Sequence, residues 1–470
     1  MATFIVTEDE KKNGKINWYA LIVIFGGFLV HLTLGTIYTF GNFSPYIMSY
    51  LRNRTDDSEI RNVDGIWIQA TMVIGQGAAI AIGGVLDHRF GPRIATIIGC
   101  WSLSAGTMLT YFTVQKSFAL TVVTYGVVFG LGLGTAYGVP MGVAMKWMPH
   151  RRGLVSGLVL FGFGGGAFIF NQIITGFINP DNYSPDLEVN GARYFTQEDM
   201  LDRVPYCFLI IGGTYAVVQL IGVLLIRDPP SEEFSKDIII SKFDENTVET
   251  SSVSKDGDIV SKPIEETNIA RQRDLTPLQV LKSRDFYVIW FMFLFGGQGI
   301  TLLSSLYKAY GQTFIHDDLF LALVGSCSAI FNASGRPLWG ALMDKFSFKT
   351  AMQCLYAGFI CLVITIHAAE WVGKSLYFVW ICLIFLIFSG NFALFPAATS
   401  KLFGPKYVNI NYGMVFSAAI VCNIIGAFLG TQLKEQIGWH GMFFFCGGSV
   451  FIAFLMALCY FPKGLDGQPV

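Results

Sequence analysis

The sequence predicts an all-α membrane protein in which twelve transmembrane helices form two pseudo-symmetric six-helix bundles. Three observations lead there. With 53% hydrophobic and 14% charged residues over 470 positions, and a mean hydropathy of +0.52, the chain is too apolar for a water-soluble protein. Apolar runs long enough to cross a hydrocarbon core, which takes about 20 residues, begin near residues 18, 66, 94, 118, 153, 205, 286, 319, 350, 376, 411 and 440. Two motifs also recur 256 positions apart: the helix-ending segment Gly84–Arg93 returns as Gly340–Lys349, and Gly134–Pro140 returns as Gly390–Pro396. Duplicated halves of this kind commonly build transporters, with the substrate site at the midplane between them.

Taken in order, residues 1–17 form a polar tail rich in Glu and Lys, expected to be cytoplasmic and, without a small-residue cleavage site, no removable signal peptide. The first bundle runs over 18–226. Residues 227–285 open with Asp228-Pro229-Pro230 and continue through a Ser/Thr/Asp/Glu-rich tract without apolar periodicity, which reads as a solvated, disordered linker. The second bundle spans 286–461 and a short tail 462–470. An even number of spans puts both termini on one side, and outside the linker that side carries thirteen Lys and Arg against nine on the other. The positive-inside bias therefore places termini and linker in the cytoplasm, most simply of a plasma-membrane protein. Asn53-Arg54-Thr55 and Asn182-Tyr183-Ser184 then become exterior acceptor tripeptides for N-glycosylation, or chance matches.

Several function classes drop out. A net charge of −1 with dispersed basic residues argues against nucleic-acid binding. All nine cysteines lie in apolar segments and form neither a disulfide framework nor a metal-ligand spacing. Neither Gly-x-Ser-x-Gly nor His-Glu-x-x-His occurs, so no catalytic residues, metal or cofactor are expected. Gly130-Leu-Gly132-Leu-Gly134 and Gly162-Phe-Gly164-Gly165-Gly166 sit inside apolar helices, where small residues serve close helix packing and not a nucleotide.

The repeated helix ends carry charge clusters: Asp87, His88, Arg89 and Arg93 in the first half, Asp344, Lys345 and Lys349 in the second, with Arg151 and Arg152 after the fourth helix. Such groups can pair across neighbouring helices and hold an inner gate shut, or can simply anchor topology. Gly-x-x-x-Asp-Arg-x-Gly-Arg-Arg between the second and third helices resembles the signature of the major facilitator superfamily. The second copy fits through Asp344 and Lys345, whereas the first has His88 where the acidic residue belongs and Asp87 shifted by one. Lys146-Trp147-Met148-Pro149-His150-Arg151-Arg152-Gly153, Leu275-Thr276-Pro277-Leu278-Gln279 and Asn332-Ala333-Ser334-Gly335-Arg336-Pro337 resemble monocarboxylate porters and oxalate/formate antiporters. That resemblance implies the major facilitator fold and a monomeric transporter of a small organic anion, coupled to a proton or to an exchanged anion.

Arg336 is the one full charge within a span away from the helix ends. A buried Arg costs about 2.5–3.5 kcal/mol on insertion scales, so it is kept for a partner or a function, unless it snorkels to the surface. No carboxylate stands at comparable depth, and a substrate carboxylate matches the guanidinium fork. In the resembled families the matching Arg is implied to bind that carboxylate. Bacterial oxalate antiporters carry a Lys where this chain has Ala419, so one cation suits a monoanion such as lactate, pyruvate or formate better than a dianion. Animal monocarboxylate porters tend to have an Asp where Asn332 stands and a Lys in the first helix, which is missing here; His31 is the candidate to carry a coupled proton, or is a packing residue. Tyr38, Asn42, Tyr137, Asn171, Gln172, Gln298 and Asn391 are polar groups at midplane depth; Tyr38 and Gln298 lead as pocket walls beside Arg336, Tyr137 and Asn332. A major facilitator transporter of a dicarboxylate, amino acid, sugar or drug, or a non-transporting sensor on the same fold, remain alternatives.

Overall fold

The computed structural model describes residues 18–55, 59–181, 183, 185–189, 192–230, 274–311, 313–315, 318–465 and 470. The expected N-terminal tail, residues 231–273 of the expected linker, and Asn182 and Ser184 of the second acceptor tripeptide lie outside the described residues.

Twelve long helices account for nearly all of it. The first six are α1 (Trp18–Arg54), α2 (Ile66–Phe90), α3 (Pro92–Thr113), α4 (Phe118–Trp147), α5 (Arg152–Ile178) and α6 (Glu198–Leu225). The second six are α7 (Arg284–Gly311), α8 (Asp318–Lys345), α9 (Phe348–Thr365), α10 (Lys374–Phe403), α11 (Val408–Gly426) and α12 (Ile437–Cys459). Among the described residues ten helices are long and apolar enough to cross a membrane, and α7 and α8, of 28 residues each, complete the two bundles of six. Because helices alternate in direction, one face of the molecule carries the start of α1 and the end of α12; it is the terminal side below, and the opposite face is the far side.

Helix starts fall within three residues of the apolar runs except for α6, which begins at Glu198 and not near 205. Its first turn, with Glu198 and Asp199, is helical but polar, and Arg203 pairs with Asp199 at 3.5 Å. Hydropathy marks the lipid-embedded part of a helix, not its full length. Between α5 and α6 a small antiparallel hairpin, β1 (Leu187–Val189) with β2 (Ala192–Tyr194), covers the far end of α1. There Asn53 donates to Ser49 O and Phe195 O at 2.8 and 3.0 Å.

Two helices depart from regular α geometry in mid-course, where sequence periodicity is blind, and Gly438 at the start of α12 is non-helical with φ +65°. In α1, Thr33, Thr36 and Thr39 each donate their hydroxyl to the carbonyl three residues back, and Gly35–Thr39 tightens to a 3-10 turn. At Gly35 a Cβ would collide with the backbone carbonyl of Phe163, so only glycine lets α1 approach α5 this closely. In α4, Val122–Val128 winds as a π-helix.

Polar side chains bond across the interior of each half. Gln219 of α6 accepts from Ser104 of α3 at 2.7 Å and donates to Thr33 of α1 at 3.0 Å. The halves meet along two seams, α5 against α8 and α2 against α11. At the terminal end of the first seam, Gly340 and Gly153 press backbone to backbone, with no room for a Cβ on either.

Candidate functional site

Four of the residues singled out from sequence, His31, Tyr38, Tyr137 and Arg336, converge on one ring, Phe163, which was not among them. Held between Gly162 and Gly164 on α5, Phe163 meets His31 at 6.3 Å, Tyr38 at 5.5 Å and Tyr137 at 5.2 Å between ring centroids, all edge-on. Arg336 of α8 lays its guanidinium carbon 5.3 Å from the centre of Phe163 and 5.3 Å from Phe392 of α10. Tyr412 and Phe416 of α11 complete the aromatic wall against Tyr137, with centroids 6.4 and 5.9 Å away. The cluster therefore draws on both halves. Glycines flanking an aromatic on a packed helix were the available sequence signal for Phe163, and they read equally well as packing alone.

Arg336 has no exposed surface. Its Nε and Nη2 donate to Asn332 Oδ1 at 3.3 and 3.1 Å, and its Nη1 donates to Leu160 O of the other half at 3.2 Å. All of these acceptors are neutral, and among the described residues no carboxylate pairs with it. A guanidinium has five N–H donors; three are directed at these acceptors, which leaves two for a further ligand. The charge is thus held by a side-chain amide, a main-chain carbonyl and two π-faces, none of which neutralises it. Asn332 occupies the place from which a carboxylate would have cancelled the charge.

His31 is also fully buried. Its Nδ1 lies 2.9 Å from Gly27 O and its Nε2 lies 3.0 Å from Tyr137 O. Both neighbours are acceptors, so only a ring carrying N–H on both nitrogens satisfies the two at once. Tyr38, by contrast, is 44% exposed. Gln298 faces elsewhere: with its amide oriented so that nitrogen donates to Cys422 O at 3.1 Å and oxygen accepts from Gly426 N–H at 3.2 Å, it ties α7 to α11. Asn42 donates to Thr175 at 2.9 Å, and the Oδ1 atoms of Asn171 and Asn391 are buried with no partner among the described residues.

On the terminal side the expected gate residues divide into two groups. Asp344, at the end of α8, accepts N–H groups of Gly153 and Leu154 at 3.0 and 2.8 Å, capping the start of α5 in the other half, with Lys401 Nζ at 3.7 Å. The counterpart contact joins Asp87, at the end of α2, to Asn409 Nδ2 at 2.8 Å, at the start of α11. Asn409 lies 256 positions after Gly153, so the internal duplication repeats in space as well as in sequence. His88 packs on Tyr407 and Arg152 donates to Ser400 O at 3.0 Å, again between halves. Arg93 instead donates to Ile226 O and Leu224 O within its own half, while Arg89, Lys345 and Lys349 lie over Phe90, Phe346 and Phe461 of their own halves. Arg151 also sits close enough to Asp344 to act on its charge. Asn409, Ser400, Lys401 and Tyr407 carried no sequence signal, because which helix starts face which helix ends is a tertiary fact.

The family model described as Major Facilitator Superfamily matches residues 20–416. The chain belongs to this superfamily. It is 27% identical to the apicoplast pyruvate carrier 1 of Toxoplasma gondii, over 93% of this chain and 87% of that one, and 27% identical to the oxalate:formate antiporter of Oxalobacter formigenes, over 83% and 79%. Monocarboxylate transporter 9 of Gallus gallus is 22% identical over 79% and 80%. Among solved structures, the proton:xylose symporter XylE bound to 6-bromo-6-deoxy-D-glucose superposes with a TM-score of 0.68 at 14% identity, covering 96% of this chain and 98% of that one. The protein is accordingly a multi-pass integral membrane transporter with the twelve-helix major facilitator fold.

Proposed function

We propose that this transporter moves a small organic monocarboxylate, with Arg336 as the seat of the carboxylate. The observation that carries the reading is a buried guanidinium with two N–H donors unspent and no protein carboxylate beside it among the described residues. An arriving carboxylate supplies the missing charge and accepts both donors. One such cation balances one carboxylate, which favours lactate, pyruvate or formate over a dianion; Ala419 adds no second charge. The named relatives of this chain that carry pyruvate, oxalate and formate, or monocarboxylates support a small carboxylate as the cargo.

Asp344, Asp87 and Arg152 are bonded across the halves on the terminal side, which supports reading them as the closed inner gate. Alternating access breaks these contacts and makes others. Arg336 is closed over, so the anion reaches it only as the rings around it shift. His31 serves as the site of a coupled proton: it shares the Phe163 ring with Arg336, and a monoanion seated there eases the repulsion a second cation would meet. The termini face the cytoplasm and the protein acts as a monomer in the plasma membrane, exchanging one anion for another or carrying anion with proton, without covalent chemistry on the cargo. Uptake of a labelled monocarboxylate by cells expressing Arg336→Gln tests the assignment. With surface protein unchanged, uptake should vanish; uptake at the wild-type rate removes Arg336 from the mechanism.

A further inference from the structure

We propose that His367, Glu370 and His440 form a binding site for a zinc-class divalent ion on the far side of the second bundle. His367 precedes the short helix Ala368–Val372 that links α9 to α10, Glu370 lies within it, and His440 sits in the first turn of α12. The 72 residues between the two histidines hide the cluster from any spacing rule. Their donor atoms all lie within 4.8 Å of one another, and His367 Nδ1 is 3.8 Å from Glu370 Oε1.

The donor set suits the ion. Two imidazoles and one carboxylate are the borderline ligands that zinc and its first-row neighbours select. Zinc holds such ligands at about 2.0–2.2 Å, which sets donor atoms about 3.3 Å apart in a tetrahedron. Closing from 4.8 Å requires side-chain rotation, His440 turning out of its stack on His367, and the exposure of Glu370 and His440 leaves room for it. The two rings lie 4.0 Å apart and 1° from parallel.

An outer shell is already in place. Tyr310, at the end of α7, donates its hydroxyl to Glu370 Oε1 at 2.6 Å and lies 3.4 Å from His367 Nδ1, so one hydroxyl touches two of the three ligands. Phe443 and Trp439 of the α12 segment pack on Tyr310, with centroids 4.7 and 5.5 Å away. Exposure leaves a fourth position for water. An ion there joins the α9–α10 link to α12, with α7 attached through Tyr310.

Full-length protein in detergent, stripped with chelator and alkylated at its exposed thiols Cys354, Cys361 and Cys459, is titrated calorimetrically with Zn2+. One ion per chain is expected, with affinity at least tenfold weaker in His440→Ala and in Glu370→Gln, and about tenfold weaker in Tyr310→Phe. Zn2+ also raises the melting temperature of the wild type and not of His440→Ala. No saturable one-to-one binding in the wild type, or wild-type affinity retained in His440→Ala and in Glu370→Gln, overturns the site.

Discussion

Replacing Asp344 with Asn should open the terminal side. In the sealed state the Asp344 carboxylate accepts two main-chain N–H groups at the start of α5, one on each oxygen, beside Lys401 and with only 9% of its side chain exposed. Asn keeps one acceptor and turns an NH2 towards the other N–H. The substitution loses one hydrogen bond to a charged group, about 1.5–3 kcal/mol, and the interaction of an anion with a helix N-terminus, about 0.3–1 kcal/mol. Roughly 2–4 kcal/mol is therefore withdrawn from the sealed state alone, which shifts the balance between closed and open terminal sides by about 30- to 1,000-fold. Spin labels at the exposed positions His150 and Phe346, one on each half, read this as a distance distribution once Cys354, Cys361 and Cys459 are replaced by alanine. The wild type should show a short-distance peak and Asp344→Asn a dominant longer one. An unchanged distribution would mean that the Asp344 contact does not hold the gate, and would refute the reasoning.

Three further perturbations act at separate points. Gly340→Ala drives a methyl group into the Gly153 carbonyl; overpacking of about 1–3 kcal/mol falls on the sealed state, so the same spin-label pair should again lengthen while the protein still folds. Asn332→Asp places a carboxylate where the amide now accepts two bonds from Arg336; this internal counter-ion competes with the cargo, and the KM for monocarboxylate uptake should rise tenfold or more. His31→Gln removes the titratable ring, and if the proton travels there, uptake should lose its acceleration by an inward proton gradient while anion exchange persists; an undiminished response to the gradient assigns the proton elsewhere.

The fold was legible because its signals are compositional and periodic. Apolar runs locate helices directly, and the spacing between Gly84 and Gly340, or Pro140 and Pro396, announces the duplication without any knowledge of contacts. Arg336 was legible for the same reason, since one charge in an apolar helix stands out whatever surrounds it. Phe163 was not: in a chain with 42 phenylalanines no single ring is distinguished until α1, α4, α5 and α8 are brought around it. Gln298 shows the opposite case, a polar group at midplane depth that the fold turns to the α11 backbone. The repeated charge motif singled out Asp344 and Asp87, which both bond across the halves, but their partners, two main-chain N–H groups and Asn409, are set by the register of one half against the other. The 3-10 turn in α1 and the π turn in α4 leave the hydrophobic pattern intact and so leave no trace in it.

The most direct measurement compares lactate with lactamide, a cargo of nearly the same shape without the charge, in counterflow into liposomes holding the purified protein. If Arg336 seats a carboxylate, the wild type exchanges lactate and not lactamide, and Arg336→Gln exchanges neither. Equal flux of the acid and the amide through the wild type, or lactate flux that survives in Arg336→Gln, would contradict it.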